Sequence, residues 1–495
     1  MAIRERVRSA LSVVPAGVER AGIADRETAG EVFDLAVPVM VSGGFRVLLR
    51  IADFLMVGIA LGDAAIAGLE LGFQYYFLGY GLSLAVTSGT ISVVSRLQGS
   101  GQPDRADLAL KQSLWLALAI SAPLTAGAWL YAEPLVAVLS DDPAAVEYGA
   151  TYLSLVMLAI GPRFWSMAAS RALAGSADTR TPMYVRLVTL PTNVVLNAVL
   201  VFGLGPAPKL GVAGAALGTV AANAVAAAVF LALALSGRYA VALRPGGPQI
   251  DAGLVREIVR VALPLTGMRL LQTFGRFPFL FVLGVLGTPA LAAFAIARRV
   301  MLFALMPAWG YSTAASTLVG QRVGANEADR AAAYGWAVLR IALVTQFLVA
   351  GAIVLAARPI ATAFGTEHVD LAVTFVRVFG LAVAGFSVSR TMRGSLRGAG
   401  DTRWPLYGTI AGSFLVRLPI AAAALPAGFA VTLLGTSVPV GLGLGFPAIY
   451  VAIVADYSTK AAVNVGRFRS GKWRAVARAS GVGAGRDGRT EAGED

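Results

Sequence analysis

The loop Gly175-Ser176-Ala177-Asp178-Thr179-Arg180-Thr181-Pro182-Met183-Tyr184 returns in the second half of the chain as Gly398-Ala399-Gly400-Asp401-Thr402-Arg403-Trp404-Pro405-Leu406-Tyr407. Two further pairs of segments lie at nearly the same spacing: Leu35–Pro38 with Val261–Pro264, and Gly99–Ala106 with Gly324–Ala331. Three pairs at nearly one spacing indicate an internal duplication. The two halves are therefore expected to share one architecture.

The composition shows what kind of protein is duplicated. Of 495 residues, 57% are hydrophobic and 14% are charged, and the mean hydropathy is +0.71. A soluble globular chain has about 25% charged and about 45–50% apolar residues. The apolar residues also form runs of about 20, the length that crosses the hydrocarbon core of a bilayer. These values exclude a soluble enzyme, a secreted disulfide scaffold and a disordered protein, and they predict a polytopic membrane protein.

The apolar runs predict twelve helices in two sets of six. The first set lies at 33–60, 65–95, 108–131, 145–170, 184–203 and 211–236. The second set lies at 258–286, 290–319, 331–357, 368–393, 405–425 and 431–455. Because six is an even number, both halves enter the bilayer with the same orientation. The predicted fold class is an all-α polytopic membrane protein with 12 transmembrane helices, arranged as two parallel-repeat six-helix lobes.

The charges in the connections orient these helices. One set of connections is rich in Arg and Lys, whereas the alternate set holds only Lys209 and Arg358 among several acidic residues. By the positive-inside rule the basic side, with both termini, is cytoplasmic, and we expect a multi-pass protein of the plasma membrane without a cleavable signal peptide. The predicted segments are a cytoplasmic N-terminal segment (1–30), an N-terminal lobe (31–240), a cytoplasmic linker (241–258), a C-terminal lobe (259–457) and a basic, then disordered, cytoplasmic tail (458–495).

The residue inventory restricts the chemistry. The chain has no Cys and a single His, His368, so thiol catalysis, disulfides and His- or Cys-based metal sites are not expected. The net charge of +13 lies mostly in cytoplasmic segments, which argues against a nucleic-acid partner. No Walker A sequence is present to bind ATP. Parallel repeats are typical of secondary transporters that bind substrate between the halves. We therefore predict a secondary transporter that is not an enzyme and needs no cofactor.

Several motifs resemble the multidrug and toxic compound extrusion (MATE) family. They are Leu35–Pro38 leading to Ala52–Gly58, the two Gly-x-x-Asp-Thr-Arg-x-Pro loops, and Pro191–Asn197 followed by Leu210–Ala216. The resemblance implies two six-helix lobes around a central cavity, a monomer in the lipid bilayer, and exchange of H⁺ or Na⁺ for a small-molecule, drug-like substrate. It also implies that Pro38 and Asp53 act as a pair, in which protonation of the acid bends the helix at the proline.

The residues themselves support a cation-coupling role for Asp53. It lies fifteen residues after Pro38 in the first helix, and a carboxylate at this depth is costly unless it has a function. Binding of H⁺ or Na⁺ would remove its charge. Asn193 and Asn197 share one helix face, and with Thr219 they offer oxygen ligands for Na⁺ or a hydrogen bond to a protonated acid. The only metal ion expected is therefore Na⁺, at Asp53, Asn193 and Asn197; packing between helices is the other interpretation of these amides.

The C-terminal lobe departs from the family pattern. The repeat mate of Asp53 is Phe279, and Gln272 stands where some Na⁺-coupled relatives have a glutamate. Coupling is therefore expected in the N-terminal lobe. The leading functional prediction is an antiporter that exports amphipathic, cationic drugs or toxic compounds by alternating access.

Arginines at membrane depth favour an alternative. Arg50 lies one turn before Asp53 and has Arg276 as its repeat mate, and both are possible residues of the substrate cavity. Several arginines in one cavity would suit an anionic substrate, either a metabolite or a lipid-linked precursor moved by a flippase. Structural pairing of these arginines with polar groups is the remaining possibility. The sequence leaves these alternatives open.

Overall fold

A computed structural model describes residues 15–61, 63–139, 142–364, 366–433 and 436–479. Helices account for nearly all of the regular structure in these ranges. The exception is one hairpin, in which β1 (Ala430–Leu433) pairs antiparallel with β2 (Thr436–Pro439). The predicted all-α fold class is confirmed.

The first half of the chain contains six long helical segments. They are α1 (Arg26–Leu61), α2 (Asp63–Gly99), α3 (Pro103–Leu130), the pair α5 (Pro143–Val156) and α6 (Ile160–Gly175), α7 (Arg180–Phe202) and α8 (Gly211–Leu235). The short helix α4 (Ala132–Ala137) follows α3, and a single 3₁₀ turn, Met157–Ala159, joins α5 to α6.

The second half repeats this order. Its segments are α9 (Ala252–Phe274) with α10 (Arg276–Val285), α11 (Thr288–Gly324), α12 (Ala328–Leu355), α14 (Val369–Gly398), α15 (Arg403–Ile410) with α16 (Leu418–Ala422), and α17 (Gly445–Arg469). The short helix α13 (Ala357–Ala363) follows α12, as α4 follows α3, and α18 (Trp473–Ala479) comes after α17. A π-helical stretch, Ala411–Arg417, joins α15 to α16.

Most of these segments are suited to a bilayer by themselves. Seven described segments are long and apolar enough to cross a membrane, and α11, bent by 47° between Met301 and Leu305, makes an eighth. The remaining segments are α1, α9 with α10, α15 with α16, and α17. Six segments in each half match the order that the repeat predicts.

The last predicted helix is wrong in its position. Residues 431–433 and 436–455 form the paired strands, a Gly-rich turn and only the first part of α17, which ends at Arg469. Residues 458–469, expected in the tail, therefore belong to this helix. The apolar run misled the prediction because its β-branched residues pair as strands. Gly443 also takes a positive φ angle, so no helix runs through it, and α17 begins only at Gly445.

The described chain divides into two compact lobes, and each division falls at a proline inside a helix. The N-terminal lobe is Pro38–Leu263, and the C-terminal lobe combines residues 15–37 with the chain from Pro264 onward. Pro38 and Pro264 lie within α1 and α9, at matched positions of the repeat. Each lacks the N–H that would continue the helical hydrogen bonding, so the two connections between the lobes are weakened at equivalent points. The domain boundaries given by the sequence remain a prediction.

The segment between α8 and α9 is bound to the N-terminal lobe. Lys111 Nζ donates to the carbonyl oxygens of Gly246 and Pro248, at 2.9 and 3.3 Å. Gln112 donates to the carbonyl of Gln249 at 2.9 Å. These contacts use side chains from α3, so the linker forms part of the N-terminal lobe.

Candidate functional site

Asp53 and Arg50 lie on α1, but their side chains are outside the part of the chain that the structure describes. The predicted coupling role of Asp53 and the cavity role of Arg50 therefore stay predictions. Pro38, fifteen residues before Asp53 on the same helix, is buried. Ser42 Oγ donates to the carbonyl oxygen of Pro38 at 2.7 Å, a backbone interaction of the kind that often accompanies helix bending.

Three of the predicted coupling residues line one cavity inside the N-terminal lobe. Asn193 and Asn197 of α7 and Thr219 of α8 face a space of about 150 Å³. Asn193 Nδ2 lies 3.4 Å from Thr219 Oγ1. Asn197 is only 1% exposed and is packed so closely against Gly218 that a Cβ at that glycine would collide with Asn197 Oδ1. The three predicted residues thus lie together at one cavity, and their coupling role stays a prediction.

The same cavity contains residues that the sequence analysis did not include in the site. Asn223 Nδ2 donates to the carbonyl of Thr219 at 2.8 Å and its Oδ1 accepts from Arg163 at 3.3 Å. The guanidinium of Arg163 lies 5.0 Å from the centre of the Tyr80 ring. Asn223 lies one turn after Thr219, so the spacing that identified Asn197 from Asn193 would also have identified it.

A second cavity, of about 290 Å³, lies inside the C-terminal lobe. Gln272 and Arg276, both predicted cavity residues, line it. Its described lining contains six basic side chains and one acidic side chain: Arg276, Arg298, Arg390, Arg393, Arg417, Lys460 and Asp456. Lys460 and Asp456 were not predicted at membrane depth, because the last predicted helix ends at residue 455.

Asp456 is the centre of an ion cluster at this cavity. Its carboxylate oxygens lie 2.7 and 2.8 Å from Lys460 Nζ and 3.3 Å from a terminal nitrogen of Arg417. Ser413 Oγ lies 3.2 Å from Asp456 Oδ1. Asp456 is 1% exposed, and a buried carboxylate needs such partners because an isolated charge in an apolar interior is very costly.

Phe279, the repeat mate of Asp53, has a packing role. It is 2% exposed, and its ring centre lies 5.5 Å from that of Phe294. The guanidinium of Arg417 lies 5.1 Å from the same ring. The two lobes therefore differ in chemistry at this repeated position, as the sequence predicts.

Comparison with known proteins assigns the family. The MatE family model matches residues 38–199 and 264–423, which are the two repeats. The chain belongs to the MATE family. A probable multidrug resistance protein NorM of Bradyrhizobium diazoefficiens is 30% identical over 402 residues, covering 79% of this chain and 85% of that protein. MATE proteins are transporters and not enzymes, and the expected family is confirmed.

Two further proteins are similar to this chain, one in structure and one in sequence. An outward-facing MATE transporter of the MOP superfamily has the same fold, with a TM-score of 0.79 at 20% identity over 90% of this chain and 96% of that one. It confirms the fold of two six-helix lobes. A FAD transporter of Shewanella oneidensis is 25% identical over 313 residues, covering 62% of this chain and 68% of that protein. Relatives of this MATE protein thus carry names for different substrates.

Proposed function

We propose that this MATE protein is a secondary active exporter of the plasma membrane, with cytoplasmic termini, that exchanges H⁺ or Na⁺ for small amphipathic compounds. The observation that carries the proposal is a polar cavity inside each lobe of a duplicated helical transporter. Alternating access requires the lobes to move, and Pro38 and Pro264 offer matched hinge points on α1 and α9. A monomer contains both repeats and is sufficient for this cycle.

Coupling is assigned to the N-terminal lobe. Asp53 on α1 is the ion-binding carboxylate, and Asn193, Asn197 and Thr219 supply neighbouring oxygen atoms. Two amides and a hydroxyl suit either the coordination of Na⁺ or a hydrogen bond to protonated Asp53. The contact between Asn193 and Thr219 supports this arrangement.

The charge of the C-terminal cavity wall favours an organic anion over a cationic drug as the substrate. In the C-terminal cavity, Asp456 is the single described acid among six basic side chains. A cationic drug entering the C-terminal cavity would meet like charges, whereas an anion would be attracted. The anionic alternative of the sequence analysis is therefore the better supported substrate class.

Transport in proteoliposomes tests the function. A proton gradient and a sodium gradient are imposed separately, with salicylate as the anionic probe and ethidium as the cationic probe. We expect gradient-driven movement of salicylate that exceeds that of ethidium and is lost in Asp53→Asn.

Glu147→Gln is the matched control for this variant, because Glu147 is an exposed acid of α5 and lies away from the described lining of both cavities. Movement of ethidium alone would overturn the anionic substrate class. No movement of either probe by folded protein would overturn secondary export, and undiminished transport by Asp53→Asn would place the coupling elsewhere.

A further inference from the structure

The cavity of the C-terminal lobe contains more positive charge than the described protein neutralises. Asp456 contacts Lys460 and Arg417, and these three groups with Ser413 form a closed cluster. Arg417 also donates to the carbonyl oxygen of Gly275 at 2.9 Å. The carboxylate is thus fully engaged with Lys460 and Arg417, and it does not pair with Arg276 or Arg298.

Arg276 and Arg298 are the least compensated of these groups. Arg276 is exposed and Arg298 is half-buried, and neither forms a hydrogen bond or an ion pair with any residue in the described part of the chain. Arg393 is 9% exposed, and its described hydrogen bond goes to Met268 Sδ, a weak acceptor at 3.3 Å. Basic side chains within a membrane protein are costly and usually mark a functional site.

The local backbone fixes the position of the engaged cluster. The π-helical stretch that contains Ser413 and Arg417 packs against α17 through Gly412. A Cβ at Gly412 would lie 2.7 Å from the carbonyl oxygen of Asp456 and 2.9 Å from its Oδ1. π-helical turns are rare and frequently occur at functional sites. This close contact fixes Asp456 on Arg417 and Lys460, which leaves Arg276 and Arg298 available to an external anion.

Five aromatic side chains also line the cavity. Phe279 and Phe294 form a tilted pair with ring centres 5.5 Å apart, and Phe294 makes a second contact of 5.5 Å with Phe379. Phe386 and Tyr457 also line the cavity and are 5.5 Å apart between ring centres. A volume of about 290 Å³ accommodates one small molecule. The cavity therefore combines uncompensated guanidinium groups with a wall suited to an aromatic or apolar body.

We propose that this cavity binds the carboxylate or phosphate group of a small aromatic anion, with Arg276 and Arg298 as its direct ligands. The inference rests on the proposed function, because it assigns a substrate site to the exporter. A guanidinium group presents two parallel N–H donors to a carboxylate or phosphate, which gives geometric specificity as well as attraction. The aromatic wall then selects the body to which the acidic group is attached.

Equilibrium dialysis of the purified full-length protein in detergent tests the site without any ion gradient. The probe is radiolabelled salicylate, and the competitors are phenyl phosphate, phosphatidic acid and benzyltrimethylammonium. We expect salicylate to bind, phenyl phosphate to displace it, and the cation to leave it bound. Displacement by phosphatidic acid but not by phenyl phosphate would identify a lipid headgroup as the source of the anionic group and overturn a soluble aromatic ligand.

Two neighbouring arginines provide the variant and its control. Arg298→Gln is expected to weaken salicylate binding about tenfold, because it removes a charged hydrogen-bond donor. Arg299→Gln should leave binding unchanged, since Arg299 is exposed and lies outside the described lining. Arg276→Gln carries the same expectation as Arg298→Gln, and Arg298→Lys should restore part of the affinity. Size-exclusion chromatography checks that each variant is folded. If Arg298→Gln aggregates, salicylate binding by Arg276→Gln tests the site instead.

The outcomes separate this site from the transport proposal. Equal binding by the wild type, Arg298→Gln and Arg276→Gln would overturn the site, even if gradient-driven export is observed. Displacement of salicylate by benzyltrimethylammonium would also overturn it. Salicylate binding that depends on Arg298, in a protein that transports nothing under either gradient, would support the site and overturn the proposed export.

Discussion

Arg96 donates a 2.9 Å hydrogen bond to Glu257, which lies 161 residues later in the chain. The side chains are 1% and 10% exposed, so the pair is buried where α9 begins against α2. The helices α2 and α9 pack closely here, since a Cβ at Gly89 would collide with the backbone of Ile258. This ion pair ties the start of the second repeat to the N-terminal lobe.

Loss of one partner of this pair should destabilise the protein. Glu257→Gln leaves the charge of Arg96 buried without its carboxylate, and breaking a buried pair in this way costs about 3–5 kcal/mol in soluble proteins. We expect a clear fall in the unfolding temperature in detergent, measured by fluorescence on heating. Asp370→Asn is the control, because Asp370 forms an exposed pair with Arg358 at 2.6 Å. An equal fall in both variants would contradict the special role of the buried pair.

The sequence predicted the architecture because the repeat and the uneven distribution of Arg and Lys between alternate connections can be read directly from the residues. That Asn193 and Asn197 share a face was also predictable, since they are four residues apart on α7. Thr219 lies on α8 and joins them at the cavity through the packing of the two helices. Asp456 and Lys460 were not, because the apolar run before them was interpreted as the last helix and placed both residues outside the membrane. Their ion cluster with Arg417 depends on the tertiary packing of α17 against the π-helical stretch, which no sequence period specifies.

Substitution of Gly412 should disturb the C-terminal cavity. In Gly412→Ala the new methyl group would press on the backbone and carboxylate of Asp456. We expect the displaced π-helical stretch to separate Arg417 from Asp456 and to change salicylate affinity in equilibrium dialysis, together with a lower unfolding temperature. Gly351→Ala is the control, because no heavy atom lies within 4 Å of its added Cβ. Unchanged affinity and unfolding temperature in Gly412→Ala would contradict this prediction and show that α17 shifts to accommodate the methyl group.

The loop residue Asp401 predicts a pH dependence of stability. It is 3% exposed, and burial raises the pKa of its carboxyl group above 3.8 although Arg467 lies 2.7 Å away. The folded state therefore binds this proton more tightly than the unfolded state does. Stability contributed by the group is full below pH 3.8 and decreases as the pH rises through the folded pKa.

Asp401→Asn removes this dependence. We expect the difference in unfolding temperature between the wild type and Asp401→Asn to shift in favour of the variant as the pH rises from the acid side of 3.8 through the folded pKa. Thermal unfolding in detergent over a series of acidic buffers measures it. A difference that does not change with pH would contradict the raised pKa. Asp370→Asn again serves as a control, because that residue is exposed.

Pro264 should be needed for transport but not for binding. It lies inside α9 at the boundary of the two lobes and matches Pro38 of α1. Pro264→Ala restores a backbone N–H and stiffens the helix at the point where it must bend when the lobes move. We expect the rate of gradient-driven export to fall several-fold, while equilibrium dialysis shows the same affinity for salicylate.

Pro123→Ala is the matched control, because Pro123 lies inside α3 within a single lobe. It should leave the transport rate close to that of the wild type. A hinge at Pro264 also predicts that the double variant, Pro38→Ala with Pro264→Ala, exports more slowly than either single variant. Each proline weakens a separate connection between the lobes, so the double variant stiffens both connections. Equal rates in Pro264→Ala and the wild type would assign the bending to α1 alone, and the matched position of Pro264 would then be only a trace of the duplication.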